Sequence, residues 1–121
     1  MESINGCTVI RPGSAELARF DADVANAYVA EIGSFPPGQP GPPVHVHPNT
    51  DEGFYIADGE ATFLLGGHEL PVTAGGFVFV PRGTEHTVWN SGHVPVRGLI
   101  IISPGDAVHE FVPVGTPAGE D

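Results

Sequence analysis

The segment that decides the fold is VHVHPNTDEGFYIADGE, residues 44–60. His45 and His47 are two positions apart, so on a β-strand both imidazoles lie on the same face. The PNTD segment that follows is rich in turn-forming residues, and it predicts a chain reversal that brings Glu52 back toward the two histidines. Asp51 then points to the opposite face of its strand, where we expect it to be solvated.

Short apolar runs continue on the C-terminal side of this segment. Each is bounded by Gly, Asn, Asp or Pro, and strands at such short intervals are typical of a β-sandwich or barrel. Asp58-Gly59 separates two of the runs and predicts a tight hairpin, because both positions tolerate a positive φ. Further turns are expected at Gly66-Gly67, Gly75-Gly76 and 90–92. The runs are residues 53–57, 61–65, 77–80, 87–89 and 96–102.

The N-terminal side is less regular. Residues 7–10 and 27–35 are β-rich, and residues 14–20 between them could form a single helical turn. The segment FPPGQPGPP, residues 35–43, cannot lie in the middle of a sheet, because each proline lacks the amide hydrogen that a ladder requires. We expect it to form a loop at the rim of an all-β domain.

The composition limits the possible architectures and partners. A chain of 121 residues predicts one domain, residues 1–121, with the motif-bearing core at 41–103. The net charge of −11 argues against binding to nucleic acid or to an anionic membrane surface. Cys7 is the only cysteine, so no internal disulfide is possible. No apolar run approaches the roughly twenty residues of a membrane span, and the N-terminus does not resemble a secretory signal, so we expect a cytoplasmic protein.

A third histidine completes a candidate ligand set. His86 opens the run HTVWN after the turn PRGTE, so it can face the same point as the first two histidines and Glu52. Three imidazoles and one carboxylate suit one divalent transition metal ion (Fe, Mn, Ni, Co, Cu or Zn), and the ligand types alone do not choose among these. The remaining histidines are expected to be structural or surface residues: His68, His93 and His109.

At this point the sequence resembles a known family. Residues 45–59 resemble the first motif of the cupin superfamily: His-x-His, four residues, Glu, six residues, Gly. Residues 75–90 resemble the second: Gly, five residues, Pro-x-Gly, two residues, His, three residues, Asn. One anchor differs, because the glycine expected six positions before the first histidine is Gln39, with Gly38 and Gly41 nearby. This difference affects the loop that enters the strand and leaves the ligands unchanged.

The resemblance implies a double-stranded β-helix, or jelly-roll barrel, whose metal ligands are His45, His47, Glu52 and His86. Strand alternation adds neighbours that should line a pocket beside the metal. Phe54 and Ile56 share the face of Glu52, and Val88 and Asn90 share the face of His86. Packing in the core explains the three apolar residues equally well. No second acid or base inside the site is evident from the spacing.

The fold alone does not give the reaction, so three interpretations stay open. The first is a dioxygenase-like enzyme, similar to quercetinase-type cupins, in which the metal acidifies an enolic or phenolic oxygen of a hydrophobic substrate and Glu52 accepts the proton. The second is a non-redox isomerase, cyclase or decarboxylase. The third is a non-catalytic module that binds a metal or a small ligand.

The sequence also predicts a homodimer. The runs 97–103 and 7–10 carry apolar residues on both faces, whereas a barrel of this size has one interior. A sheet-to-sheet interface between two subunits would bury the second face. The expected partners are therefore a small-molecule substrate and a second copy of the chain.

Overall fold

A computed structural model describes residues 2–5, 7–9, 11, 18–21, 27–105 and 111–117. The ordered elements in these ranges are all strands and no helix occurs among them, so the predicted all-β class is confirmed. The strands are β1 (Glu2–Ile4), β2 (Cys7–Val9), β3 (Ala18–Asp21), β4 (Val29–Phe35), β5 (Pro43–Val46), β6 (Asp51–Asp58), β7 (Glu60–Leu65), β8 (His68–Thr73), β9 (Phe77–Val80), β10 (His86–Asn90), β11 (Val96–Ser103) and β12 (Val112–Pro117).

The strands build two five-stranded antiparallel sheets and a small ribbon. The β10 sheet has the order β12-β5-β10-β7-β8, and the β11 sheet has the order β3-β4-β11-β6-β9. The ribbon pairs β1 with β2. From β5 onward the chain passes from one sheet to the other at most connections, so consecutive strands usually lie in different sheets and face each other across the core. Because of this crossing each motif contributes one strand to each sheet: β5 and β6 carry the first motif, and β10 and β9 carry the second.

The prediction of a hairpin at Asp58-Gly59 is wrong. The turn exists, and Gly59 has φ +86°, but β6 pairs with β11 and β9 whereas β7 pairs with β10 and β8. Asp58-Gly59 is therefore a corner between the sheets. A Cβ at Gly59 would lie 2.8 Å from the carbonyl oxygen of Pro95, so a side chain is excluded there. A two-residue hairpin occurs at Gly66-Gly67, where both residues have positive φ and Leu65 pairs with His68.

The predicted helical turn at residues 14–20 is also wrong where it can be compared. Residues 14–17 lie outside the described ranges, and Ala18–Asp21 forms strand β3, which pairs with β4 in a continuous ladder from Ala18↔Ile32 to Asp21↔Val29. Pairing with an existing strand outweighs the weak local helix propensity. The proline-rich segment behaves as expected, because residues 36–42 form the irregular connection between β4 and β5.

The hydrophobic core lies between the two sheets. Phe54 and Phe63 form its aromatic centre, with ring centroids 5.2 Å apart and planes at 76°, an edge-to-face geometry that adds to simple burial. The other buried members of this cluster come from β6, β7, β9 and the start of β11: Ile56, Ala61, Val78, Val80 and Val96. This packing fixes the strands that carry the motif residues.

The outer face of the β11 sheet is apolar. Leu99 pairs with Ile32 and Tyr55 on its two sides, and Tyr55 pairs in turn with Phe77, so these four side chains form one row across the sheet. Phe77 is 63% exposed, and Ile32 and Tyr55 are also exposed.

No helix in the described part of the chain has the length and apolarity needed to cross a membrane.

Candidate metal centre

The four predicted ligands converge at one point in the interior. His45 lies on β5, His47 directly follows it, Glu52 lies on β6 and His86 opens β10. His86 pairs with His45 across the β10 sheet, and Glu52 approaches from the opposite sheet. One potential ligand atom from each residue lies within 4.8 Å of the others, and all four residues are buried. The geometry therefore brings together the residues that the motif spacing predicts.

Backbone carbonyl groups orient two of the imidazoles. His45 Nδ1 lies 2.7 Å from the carbonyl oxygen of Pro43, and His86 Nδ1 lies 2.8 Å from the carbonyl oxygen of Thr84. A ring that donates from Nδ1 to a carbonyl presents the Nε2 lone pair to a metal, and this is the usual arrangement around histidine ligands. The orientation of these rings fits a bound metal ion.

Glu52 is held by the other side of the cluster. His47 Nε2 and His86 Nε2 each lie 2.8 Å from Glu52 Oε1. Burial alone raises the pKa of the Glu52 carboxyl, but hydrogen bonds from the two histidines, together with their charges, outweigh burial and lower the pKa to about 2. Burial also lowers the pKa of His45. A carboxylate and a neutral imidazole are the forms that bind a metal, and a proton on Nε2 would be released when the metal binds.

A contact between Asp51 and Arg82 links the strand that carries Glu52 to the turn that precedes His86. The side chain of Asp51 is only partly exposed, and it accepts hydrogen bonds from Arg82 Nε (3.2 Å), Nη2 (3.0 Å) and the Arg82 backbone amide (2.9 Å). These bonds lower the pKa of the Asp51 carboxyl. A further bond runs from the Gly83 amide to the carbonyl oxygen of His47, 2.9 Å away. Asp51 is thus paired as well as solvated, which corrects the sequence prediction.

A cavity of about 510 Å³ opens beside the ligands. The four predicted pocket residues, Phe54, Ile56, Val88 and Asn90, all line it. Phe54 and Ile56 are also members of the core cluster. The side-chain amide of Asn90 is hydrogen-bonded to the backbone: Nδ2 donates to the carbonyl oxygen of Val94 (2.8 Å), and Oδ1 accepts from the amide of Gly92 (2.9 Å). Asn90 therefore shapes the turn after β10, and contact of these four residues with a substrate stays a prediction.

Two residues near the site escape the sequence analysis. The Phe111 ring stacks on His45, with centroids 4.3 Å apart and planes at 27°, and meets His47 edge-on at 6.0 Å. It reaches this place because β12 pairs with β5, and no motif or spacing indicates that pairing. Glu31 also lines the cavity. Strand alternation was the sequence signal available for Glu31, but Val29 and Ala30 are both apolar, so the sequence does not show which face of β4 is inward.

The remaining histidines lie away from the cluster where they can be placed. His68 opens β8 and is exposed, and His93 is exposed in the turn before β11. His109 lies outside the described residues. The candidate metal centre of the described chain therefore consists of His45, His47, Glu52 and His86.

Two facing antiparallel sheets joined by crossing connections, with three histidines and one glutamate converging between them, define a double-stranded β-helix protein with a candidate metal site. The Cupin domain family matches residues 32–102, more than half of the chain. The chain therefore belongs to the cupin family.

Individual relatives agree with this assignment. A double-stranded β-helix protein from Klebsiella pneumoniae is 28% identical, with a TM-score of 0.68 over 88% of this chain and 86% of that one. The tetracenomycin polyketide synthase protein TcmJ of Streptomyces glaucescens is 36% identical over 60 residues, 50% of this chain and 40% of that protein. Quercetin 2,3-dioxygenase of Bacillus subtilis is 29% identical over 75 residues, 62% of this chain and 22% of that enzyme. The chain thus spans less than half the length of both curated relatives.

Proposed function

We propose that this chain is a metal-dependent enzyme of the dioxygenase type that acts on an enolic or phenolic, otherwise hydrophobic, small molecule. The observation that carries the proposal is the position of four buried ligand residues in the wall of a cavity of about 510 Å³. A cavity of this volume is within the range of sites for small molecules. Apolar side chains such as Phe54, Ile56 and Val88 cover much of its surface.

The charge of the ligand set favours an acidic substrate oxygen. A divalent ion held by one carboxylate and three neutral imidazoles keeps a net single positive charge, and it would lower the pKa of a bound hydroxyl group. His45, His47 and His86 would hold the ion. Glu52 would also hold it and accept the proton of the substrate. With the ion bound, His47 and His86 would direct their Nε2 atoms to it and no longer donate to Glu52. The proton-acceptor role then requires the Glu52 carboxylate to be weakly held by the ion or to swing away from it.

The ion itself is proposed to be a single divalent transition metal: Fe, Mn, Ni, Co, Cu or Zn. Imidazole and carboxylate ligands suit all of these ions. The orientation of His45 and His86 by backbone carbonyl groups supports a site built for a metal, because it aims both Nε2 atoms inward.

The similarity to quercetin 2,3-dioxygenase supports oxidative chemistry on a phenolic compound. A non-redox isomerisation, cyclisation or decarboxylation is the second candidate. The similarity to the DMSP lyase DddQ of Ruegeria pomeroyi supports non-redox chemistry, with 31% identity and a TM-score of 0.61 over 78% of this chain and 46% of that one. Both candidates use the same metal and the same apolar cavity. They differ in whether molecular oxygen is consumed.

We further propose that the chain is a cytoplasmic homodimer. The exposed apolar row on the outer face of the β11 sheet supports the dimer, because a second copy could bury it: Ile32, Leu99, Tyr55 and Phe77. The acidic composition supports the absence of nucleic acid and anionic membranes among the partners.

The test is oxygen uptake by protein loaded separately with each candidate metal, across a panel of enolic and phenolic compounds. Glu52→Gln at matched metal loading is the variant, and Glu69→Gln, a change on an exposed part of β8, is the control. We expect uptake by wild type and by the control, and a loss of uptake in Glu52→Gln that exceeds any loss of metal.

Substrate conversion without oxygen uptake would reject the dioxygenase proposal in favour of the non-redox enzyme. Binding of compounds without any conversion would instead leave a non-catalytic module. Uptake that is unchanged in Glu52→Gln would reject the proton-acceptor role while leaving the reaction class in place.

A further inference from the structure

Glu31 faces the interior of the barrel. The ladder between β4 and β11 runs without a register shift from Val29↔Ile102 to Phe35↔Val96, so the alternation of β4 stays in phase. Val29 is 1% exposed, and Phe35 packs against the core cluster. Residues 29, 31, 33 and 35 therefore share the inner face, and Glu31 contributes to the cavity wall.

The strand registers also fix where Glu31 lies relative to the metal centre. Glu52 pairs with Ile102, which pairs with Val29, and this forms one inward row across the sheet. Phe54, Ile100 and Glu31 form the next inward row. Glu31 is thus two strands and two residues away from Glu52, about 12 Å between Cα atoms at standard strand spacings. Glu31 and Glu52 both contribute to the wall of the same cavity, and Phe54 and Ile100 lie in the inward row beside them.

We propose that Glu31 is the second polar anchor of the cavity, and that it binds a hydroxyl or amino donor of a substrate whose acidic oxygen lies at the metal centre. This inference rests on the function proposed above and narrows its substrate class. A carboxylate offers two oxygens and about four acceptor positions, so Glu31 can receive a substrate donor in addition to any protein contact.

The chemistry of the cavity favours this role. Glu31 is partly buried on the same inward row as Phe54 and Ile100, so it offers acceptor oxygens in an otherwise apolar stretch of the cavity wall. With a divalent ion bound, the metal centre would keep net positive charge, and Glu31 supplies acceptor oxygens at the other end of the cavity wall. The substrate class that complements both ends is a phenol or enol with an apolar body and a second hydroxyl or amino group at a distance from the first.

Binding measured by calorimetry tests the inference without catalysis. The protein is loaded with Zn²⁺, which has no redox chemistry, so ligands are not consumed. Two pairs of ligands are compared, and the members of each pair differ only in a distal hydroxyl group. The short pair is tropolone and its 5-hydroxy derivative, and the long pair is 3-hydroxyflavone and its 4′-hydroxy derivative. The variants are Glu31→Leu and Glu31→Gln, and Glu69→Gln is the surface control.

For the pair whose length matches the distance from the metal to Glu31, we expect wild type and Glu69→Gln to bind the member with the distal hydroxyl group about tenfold more tightly than the member without it. Glu31→Leu should lose this preference, whereas Glu31→Gln, which keeps an acceptor oxygen, should retain part of it. Zinc content should be equal in all four proteins, which shows that the variants are folded and that the site is intact.

Two results would overturn the inference while leaving the proposed function in place. The first is metal-dependent binding of both members of each pair with equal affinity in wild type. The second is a preference for the hydroxylated member that Glu31→Leu retains. A third result, no zinc-dependent binding of any of the four compounds, would reject the proposed function itself and the inference that rests on it.

Discussion

Glu52 should make the metal-free protein sensitive to acid. Its carboxyl pKa is lowered from 4.5 to about 2 in the folded chain, because the histidine hydrogen bonds outweigh burial. A lowered pKa means that the unfolded chain binds the proton more tightly, so the stabilisation is present above pH 4.5 and is lost as the pH falls toward 2. A difference of this size corresponds to roughly 3 kcal/mol in the free energy of unfolding.

The assay is denaturant-induced unfolding of chelator-treated protein at a series of pH values from neutral to acidic. Wild type should lose stability more steeply than Glu52→Gln below about pH 5, while Glu69→Gln should follow wild type. His45, whose pKa is lowered by burial, adds an acid-dependent loss that begins below its ordinary value of 6.5, but it is present in every variant. Equal losses in wild type and Glu52→Gln would refute the reasoning.

Three further changes test other parts of the site and surface. Asp51→Asn weakens the acceptor of the Arg82 bonds and should lower metal affinity about tenfold in a metal titration, with secondary structure retained; unchanged affinity would contradict the link between the motifs. Phe111→Ala removes the ring stacked on His45 and should improve the binding of bulky ligands relative to small ones in competition assays; equal ratios would contradict a role in shaping the cavity. Ile101 is exposed on β11, on the same face as Leu99, so Ile101→Lys should convert a dimer to a monomer by light scattering; a monomeric wild type at micromolar concentration would contradict the dimer proposal.

Three of the four ligand residues could be predicted from sequence because the information that places them is local. His45 and His47 are separated by the period of a strand, and a short turn returns the chain to Glu52. His86 needed the second motif, since strand alternation alone does not say which strands are neighbours. The structure shows that β5 and β10 pair directly, which explains why such distant residues meet.

The remaining features depend on pairings between distant parts of the chain. Turn chemistry at Asp58-Gly59 determines that the chain reverses, but the ladders of β6 and β7 with other strands decide that it also changes sheet. The contact between Asp51 and Arg82 joins residues that are 31 positions apart. Phe111 reaches His45 only because β12 pairs with β5 at the edge of its sheet. Local patterns carry none of these relationships.

The central claim is that His45, His47, Glu52 and His86 bind one metal ion. The most direct test is the metal content of gently purified protein, measured by mass spectrometry for wild type, His86→Ala and His93→Ala. We expect about one transition metal ion per chain in wild type and in His93→Ala, and strongly reduced content in His86→Ala, because His86 lies in the cluster whereas His93 is exposed in a turn. Full occupancy in the folded His86→Ala variant would contradict the site assignment.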